Sequence, residues 1–187
     1  MAGVRTFVAV LVPDDVRAAL AHEIDRLRGI APGVAWVAEA NLHVTLKFLG
    51  QVEEARLGAV ADALTAVAAR CTTFELGVRG LGAFPSATRP RVVWAGLEPP
   101  TPLAALAGDI DAALVALGFP GETRPFAAHV TLGRLREPRR LAALAGALAR
   151  PADFGRLRVA RVSLMRSQLH PHGARYSELC GLALPAP

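Results

Sequence analysis

The chain has 187 residues, 52% hydrophobic and 20% charged, enough for one domain with a sizeable core or two small lobes sharing one. That balance excludes a disordered chain, and no apolar run approaches the roughly 18 residues that span a bilayer. A net charge of +5 favours an anionic partner; of the 21 basic residues only Lys47 is a lysine, and guanidinium groups suit bidentate phosphate contacts. The early apolar run Phe7 to Val12 stops at Pro13-Asp14-Asp15, too short for a signal-peptide core and without a cleavage pattern, so a cytoplasmic location is expected. Cys71 and Cys180 have no metal or redox spacing and read as buried thiols.

In chain order, Thr6 to Leu11 is a β-rich run. An amphipathic helix follows to about Arg28, with Asp14 as its cap and Val16, Ala19, Leu20, Ile24 and Leu27 on one face. Pro32-Gly33 breaks the chain; Val34 to Val37 is a short strand and Leu42 to Leu49 a stronger one. A second helix is expected from about Glu53 to Arg70. Phe74 to Leu81 and Arg91 to Leu97 read as strands separated by a Gly82-to-Pro90 loop, and Leu103 to Leu117 as a third helix. Gly118 to Phe126, with two prolines, is an irregular loop leading to another strand. Arg139 to Arg150 is a short Ala/Leu-rich helix, and Phe154 to Arg166 and Tyr176 to Leu184 are strands around a His170-Pro171-His172-Gly173 loop. The order repeats itself and no disordered linker divides it. We expect one compact α+β unit of two related halves, with mainly antiparallel sheets facing a groove between two lobes and helices on the outside. No oligomerisation signal stands out, and a monomer is expected.

Histidine is scarce, five residues, yet two share one context: His43-Val44-Thr45-Leu46 and His129-Val130-Thr131-Leu132. A structural histidine has no reason to recur with its threonine half a chain away. On a strand, His43 and Thr45 share one face while Val44 and Leu46 share the other and pack inward; the second copy repeats this with His129 and Thr131. Two lobes related by a pseudo-twofold axis would then set two imidazoles and two hydroxyls across a groove. Displacement at phosphorus needs a base for the nucleophile and an acid for the leaving oxygen, and histidine serves as either near neutral pH. The threonine hydroxyls are donors for the non-bridging oxygens, and Arg134 is a further clamp for phosphate charge. By alternation Phe48 falls with Val44 and Leu46 on the core face, and Trp94 also reads as core. His22 sits mid-helix as a solvated side chain. Neither the motif histidines nor His170 and His172 have carboxylate or thiolate neighbours at metal-site spacing, and no nucleotide-binding glycine loop occurs, so neither metal nor cofactor is expected.

These motifs resemble those of the two-histidine phosphoesterases, which carry two His-x-Thr/Ser-x motifs roughly 80 residues apart; more narrowly the chain resembles the RNA 2′,3′-cyclic phosphodiesterases, also called 2′-5′ RNA ligases. The likeness spans nearly the whole chain. It includes Arg5 to Val10 with the following Pro-Asp turn, Asn41 to Gly50, Arg91-Val92-Val93-Trp94, Arg124-Pro125-Phe126 and Leu164-Met165-Arg166-Ser167. The resemblance implies a bilobal fold with no metal requirement, and hydrolysis of an RNA 2′,3′-cyclic phosphate end, or of a small cyclic nucleotide, to a 2′-phosphate. It implies that His43 protonates the departing 3′ oxygen and His129 activates water, although the symmetry of the motifs permits either order. Thr45 and Thr131 would hold the non-bridging oxygens. Arg91, Arg124 and Ser167 are weaker candidates for substrate contact. Two alternatives stand beside this reading: reversible 2′-5′ ligation of tRNA halves, and a non-catalytic module that binds RNA ends.

Overall fold

The computed structural model describes residues 3–137, 140–170 and 173–187. Its elements run β1 (Gly3–Leu11), α1 (Asp14–Ile30), β2 (Ala35–Trp36), β3 (His43–Glu53), α2 (Leu57–Ala68), β4 (Phe74–Phe84) and β5 (Val92–Glu98). After these come α3 (Thr101–Val115), β6 (His129–Arg134), α4 (Ala142–Leu148), β7 (Asp153–Val159), β8 (Arg161–His170) and β9 (Gly173–Ala183). One sheet has the order β3-β1-β8-β9 and the other β2-β6-β5-β4-β7. Neighbours in both are antiparallel, so the α+β expectation holds.

The lobes are not the two halves of the sequence. β4 lies in the first half yet pairs with β5 and β7, whereas β8 and β9 return from the far end to extend the sheet that holds β1 and β3. The expected Phe154-to-Arg166 strand is in fact two, split at Ala160, and the split is the point where the chain leaves one sheet for the other. The first sheet thus depends on contacts between the two ends of the chain, and neither half has a complete sheet of its own.

Apolar spacing explains the packing. Val16, Leu20, Ile24 and Leu27 form the buried stripe of α1, at three- and four-residue steps. In β5, Val93, Ala95 and Leu97 point into the core and alternate with Val92, Trp94 and Gly96. α2 and α3 pack on each other, α2 also against β8 and β9 and α3 against β3, while α1 packs on β7 and α4. The core under these helices holds fully buried Leu20, Leu27, Leu64, Leu103, Leu114, Leu132 and Leu157; each contributes roughly 1.5–3 kcal/mol relative to exposure.

Several boundaries differ from expectation. β3 runs on to Glu53, and a 3-10 turn at Glu54–Arg56 precedes α2, so the second helix is shorter than its apolar period suggests. Asp14 is the first residue of α1 rather than its cap; its carboxylate accepts from Arg17. β4 continues through Phe84, where a loop was expected from Gly82. The described part of the fourth helix begins at Ala142; Arg139 lies outside the described residues. His170 ends β8 and Gly173 opens β9, while Pro171 and His172 also lie outside the described residues. Cys71 and Cys180 are free and half-buried rather than buried. His22 is exposed, as its position on the polar face of α1 requires.

Candidate active site

Both motif strands carry the same irregularity. In the pairing of β1 with β3, Val8 faces Lys47 and Ala9 faces Thr45, which leaves Leu46 without a partner. Between β5 and β6, Val93 faces Gly133 and Trp94 faces Thr131, which leaves Leu132 in the same position. Each is a β-bulge, two residues set against one, and it resets the alternation downstream. Leu46 and Lys47 are consequently both buried, as are Leu132 and Gly133. Phe48 and Arg134, which strict alternation would place on the core face, come round to the side of His43, Thr45, His129 and Thr131. Phe48 is 56% exposed, so the core assignment fails for it.

The inward turn of Lys47 is completed by α3 and the loop after it. The ammonium, its side chain 1% exposed, donates to the Asp111 carboxylate and, at 2.7 Å, to the Pro120 carbonyl, with Glu122 at 3.9 Å. Asp111 also accepts from the Glu122 amide, and the Lys47 hydrogen bond holds its carboxyl below the usual carboxylate range. At the matching place in β6, Gly133 leaves room for Val34 and Trp36: a Cβ there would meet their side chains at 2.6 and 2.7 Å. The buried cation pins the Gly118-to-Phe126 loop beside β3, and that loop leads to the second motif.

Each histidine is held by a main-chain carbonyl two residues before it, Nδ1 of His43 by Asn41 and Nδ1 of His129 by Ala127, both at 2.7 Å. In the neutral ring Nδ1–H donates to that carbonyl, which leaves the Nε2 lone pair as an acceptor. Nε2 of His43 lies 3.0 Å from the Thr45 hydroxyl. Burial holds the pKa of both imidazoles below the ordinary histidine value, against the carbonyl hydrogen bonds; Arg134 pushes both further down, and the charge of His129 also acts on His43.

An aromatic ring stands edge-on to each imidazole at nearly the same geometry. Tyr176 meets His43 at 5.3 Å and 87°, and Phe84 meets His129 at 5.2 Å and 86°. Phe7 packs against His43, Phe48 and Tyr176. Trp94 lies opposite Thr131 and 5.3 Å from Phe84. It is half-buried on the site side of β5 rather than in the core, and its indole crosses Gly82, where a Cβ would collide with the ring. Tyr176 and Phe84 carry no sequence signal for this position. They reach the histidines through strand pairings between distant segments.

A groove of about 590 Å³ is lined by Thr45, Phe48, His129, Thr131, Arg134 and Arg124, with α3 and the Glu122–Ala127 segment as its far wall. His43 adjoins it through Thr45 and also lines a second cavity, of about 180 Å³. Of the weaker candidates only Arg124 reaches the groove. Arg91 is exposed at the start of β5, its main chain bonded to Phe84 and Leu135, and Ser167 pairs with Tyr176 on the hairpin without lining the groove. Among the described residues no three His, Cys, Asp or Glu side chains form a metal-holding group, and no helix is long and apolar enough to cross a membrane.

Each antiparallel sheet carries one bulged His-x-Thr strand, with Thr45, His129 and Thr131 lining one groove and His43 adjoining it through Thr45. The chain belongs to the 2′-5′ RNA ligase superfamily, whose family model matches residues 13–171. It is 36% identical over 179 residues to a Methanothermobacter thermautotrophicus protein named RNA 2′,3′-cyclic phosphodiesterase, a match that covers 94% of this chain and 96% of the relative. The fold is similar to that of TT0787 from Thermus thermophilus, with a TM-score of 0.81 at 33% identity, covering 97% of this chain and 98% of the other. It is also similar to Escherichia coli LigT complexed with 3′-AMP, with a TM-score of 0.82 at 27% identity, again covering 97% of this chain and 98% of the other.

Proposed function

We propose that this protein hydrolyses the 2′,3′-cyclic phosphate at an RNA 3′ end to a 2′-phosphate, without a metal, by paired histidine acid–base catalysis. The observation that carries the reading is the matched pair of imidazoles, each with Nδ1 committed to a carbonyl and Nε2 left for proton transfer. Membership of the superfamily and the activity named for the relatives support it. The cyclic phosphate occupies the groove with its non-bridging oxygens on the Thr45 and Thr131 hydroxyls and the Arg134 guanidinium. His129 Nε2 takes a proton from water as the water oxygen bonds to phosphorus. The P–O3′ bond breaks, and the 3′ oxygen takes its proton from His43 Nε2. The products are a 2′-phosphate and a free 3′-hydroxyl, with His129 protonated and His43 neutral until solvent restores both.

Both imidazoles are held below the ordinary histidine value, so either free ring is a ready base; the cyclic phosphate anion, once bound between Arg134 and the rings, favours the protonated form of the ring that serves as the acid. Each positioned acid or base contributes roughly 10²–10⁴ in rate. The test is turnover of a short RNA with a 2′,3′-cyclic phosphate in EDTA, with products separated as 2′- and 3′-phosphates, beside His43→Ala and His129→Ala. The expected result is a 2′-phosphate from the wild type and loss of at least about 10²-fold in either variant. Full rate in a variant, or a 3′-phosphate product, overturns the mechanism. Added RNA with a free 5′-hydroxyl measures how far ligation competes with water.

A further inference from the structure

We infer that the second cavity beside His43 is a subsite for the nucleoside immediately 5′ to the reacting one, so that the enzyme selects RNA ends over isolated cyclic nucleotides. This rests on the phosphodiesterase reading above. The cavity is about 180 Å³, enough for one base, and lies between the end of β1, the turn at Glu39–Asn41 and β9. His43 lines it while contacting Thr45 in the groove, so one imidazole separates the two spaces. With His43 as the acid for the departing 3′ oxygen, the ribose of the reacting nucleotide lies on the His43 side, and its 5′ oxygen leads the strand past that ring.

The walls of the cavity suit a nucleoside. The Tyr176 ring, the Met165 thioether and Leu11, 45% exposed at the mouth, offer apolar surface to a base. Glu178 is a preset acceptor: one oxygen takes the buried Ser163 hydroxyl at 2.6 Å, the other takes Arg161 at 2.7 Å, and the carboxylate still borders the cavity. Asn41 donates its amide N–H to Ala174 at 2.7 Å, which fixes the side chain and leaves Oδ1 as a second acceptor. Arg17, one-third exposed beside Asp14 and Glu39, supplies a donor at the rim. Fixed acceptors beside an aromatic ring match the N–H and hydroxyl donors of a base and ribose. They match an additional phosphate poorly, because Glu178, Glu39 and Asp14 carry the opposite requirement.

The experiment compares kcat/KM on 2′,3′-cyclic AMP with that on a dinucleotide ending in the same cyclic phosphate. The wild type is expected to favour the dinucleotide by about tenfold, the scale of one base contact. Ala40→Trp fills the cavity from an exposed turn without entering the groove. It should bring the preference to within about twofold while turnover of cyclic AMP stays unchanged, and Arg17→Ala should lower the preference in part. Equal wild-type rates on the two substrates, or an Ala40→Trp loss of the same size on both, overturns the subsite and leaves the phosphodiesterase reading standing. No wild-type turnover of either substrate overturns that reading, and the subsite with it.

Discussion

Replacing the single lysine by methionine separates the structural work of Lys47 from any role in the groove. Lys47→Met keeps the stem and removes an ammonium that is 1% exposed. The Pro120 carbonyl loses its donor, and Asp111 retains only the Glu122 amide. Removing one partner of a buried pair costs about 3–5 kcal/mol. Asp111 keeps 26% of its side chain in water and can be rehydrated, so the expected loss falls below that range, at about 2–3 kcal/mol. The assay is urea unfolding across pH. Lys47 holds the Asp111 carboxyl below its ordinary value, so its contribution is fully present above the unfolded pKa of about 3.9 and is lost as pH falls through the lower folded value. The gap between wild type and variant is therefore constant from pH 7 down to about 4 and narrows below that. Lys47→Met/Asp111→Asn, which removes the orphaned charge, recovers part of the loss at pH 7. A gap that stays constant into strong acid, or a double variant no more stable than Lys47→Met, refutes the account.

Three further predictions concern the groove and the packing around it. The free-enzyme bell of kcat/KM against pH should centre below the ordinary histidine value because both imidazoles are depressed, and Arg134→Gln, which removes a cation that lowers both, should move both limbs to higher pH; a shift to lower pH contradicts the cause assigned. Phe48→Ala should change stability by no more than about 0.5 kcal/mol but raise KM by the loss of about 1–3 kcal/mol of stacking, whereas a destabilisation of about 3–5 kcal/mol with unchanged KM would mark a core residue. Gly133→Ala should cost about 1–3 kcal/mol by driving a methyl into Val34 and Trp36, while Gly58→Ala, in open space at the start of α2, should stabilise by about 0.5–1 kcal/mol; denaturation midpoints decide both.

The sequence by itself determined the two His-x-Thr pairs. The doubled His-x-Thr and a period-two strand around it are local facts: side chains two apart share a face whatever the strand pairs with, so His43 with Thr45 and His129 with Thr131 were legible before any fold. The helices were legible for the same reason, as Val16, Leu20, Ile24 and Leu27 show. Tertiary structure alone decided what surrounds those groups. A bulge exists only between two paired strands, and whether Leu46 and Leu132 lack partners depends on β1 and β5, tens of residues away. That pairing turned Lys47 inward and Phe48 outward, against alternation, and brought Arg134 to the groove. Tyr176 reaches His43 because β9 extends the sheet begun by β1, and Phe84 reaches His129 because β4 crosses from the first half of the chain into the second sheet. Such placements depend on contacts between residues far apart in sequence, which side-chain periodicity does not encode.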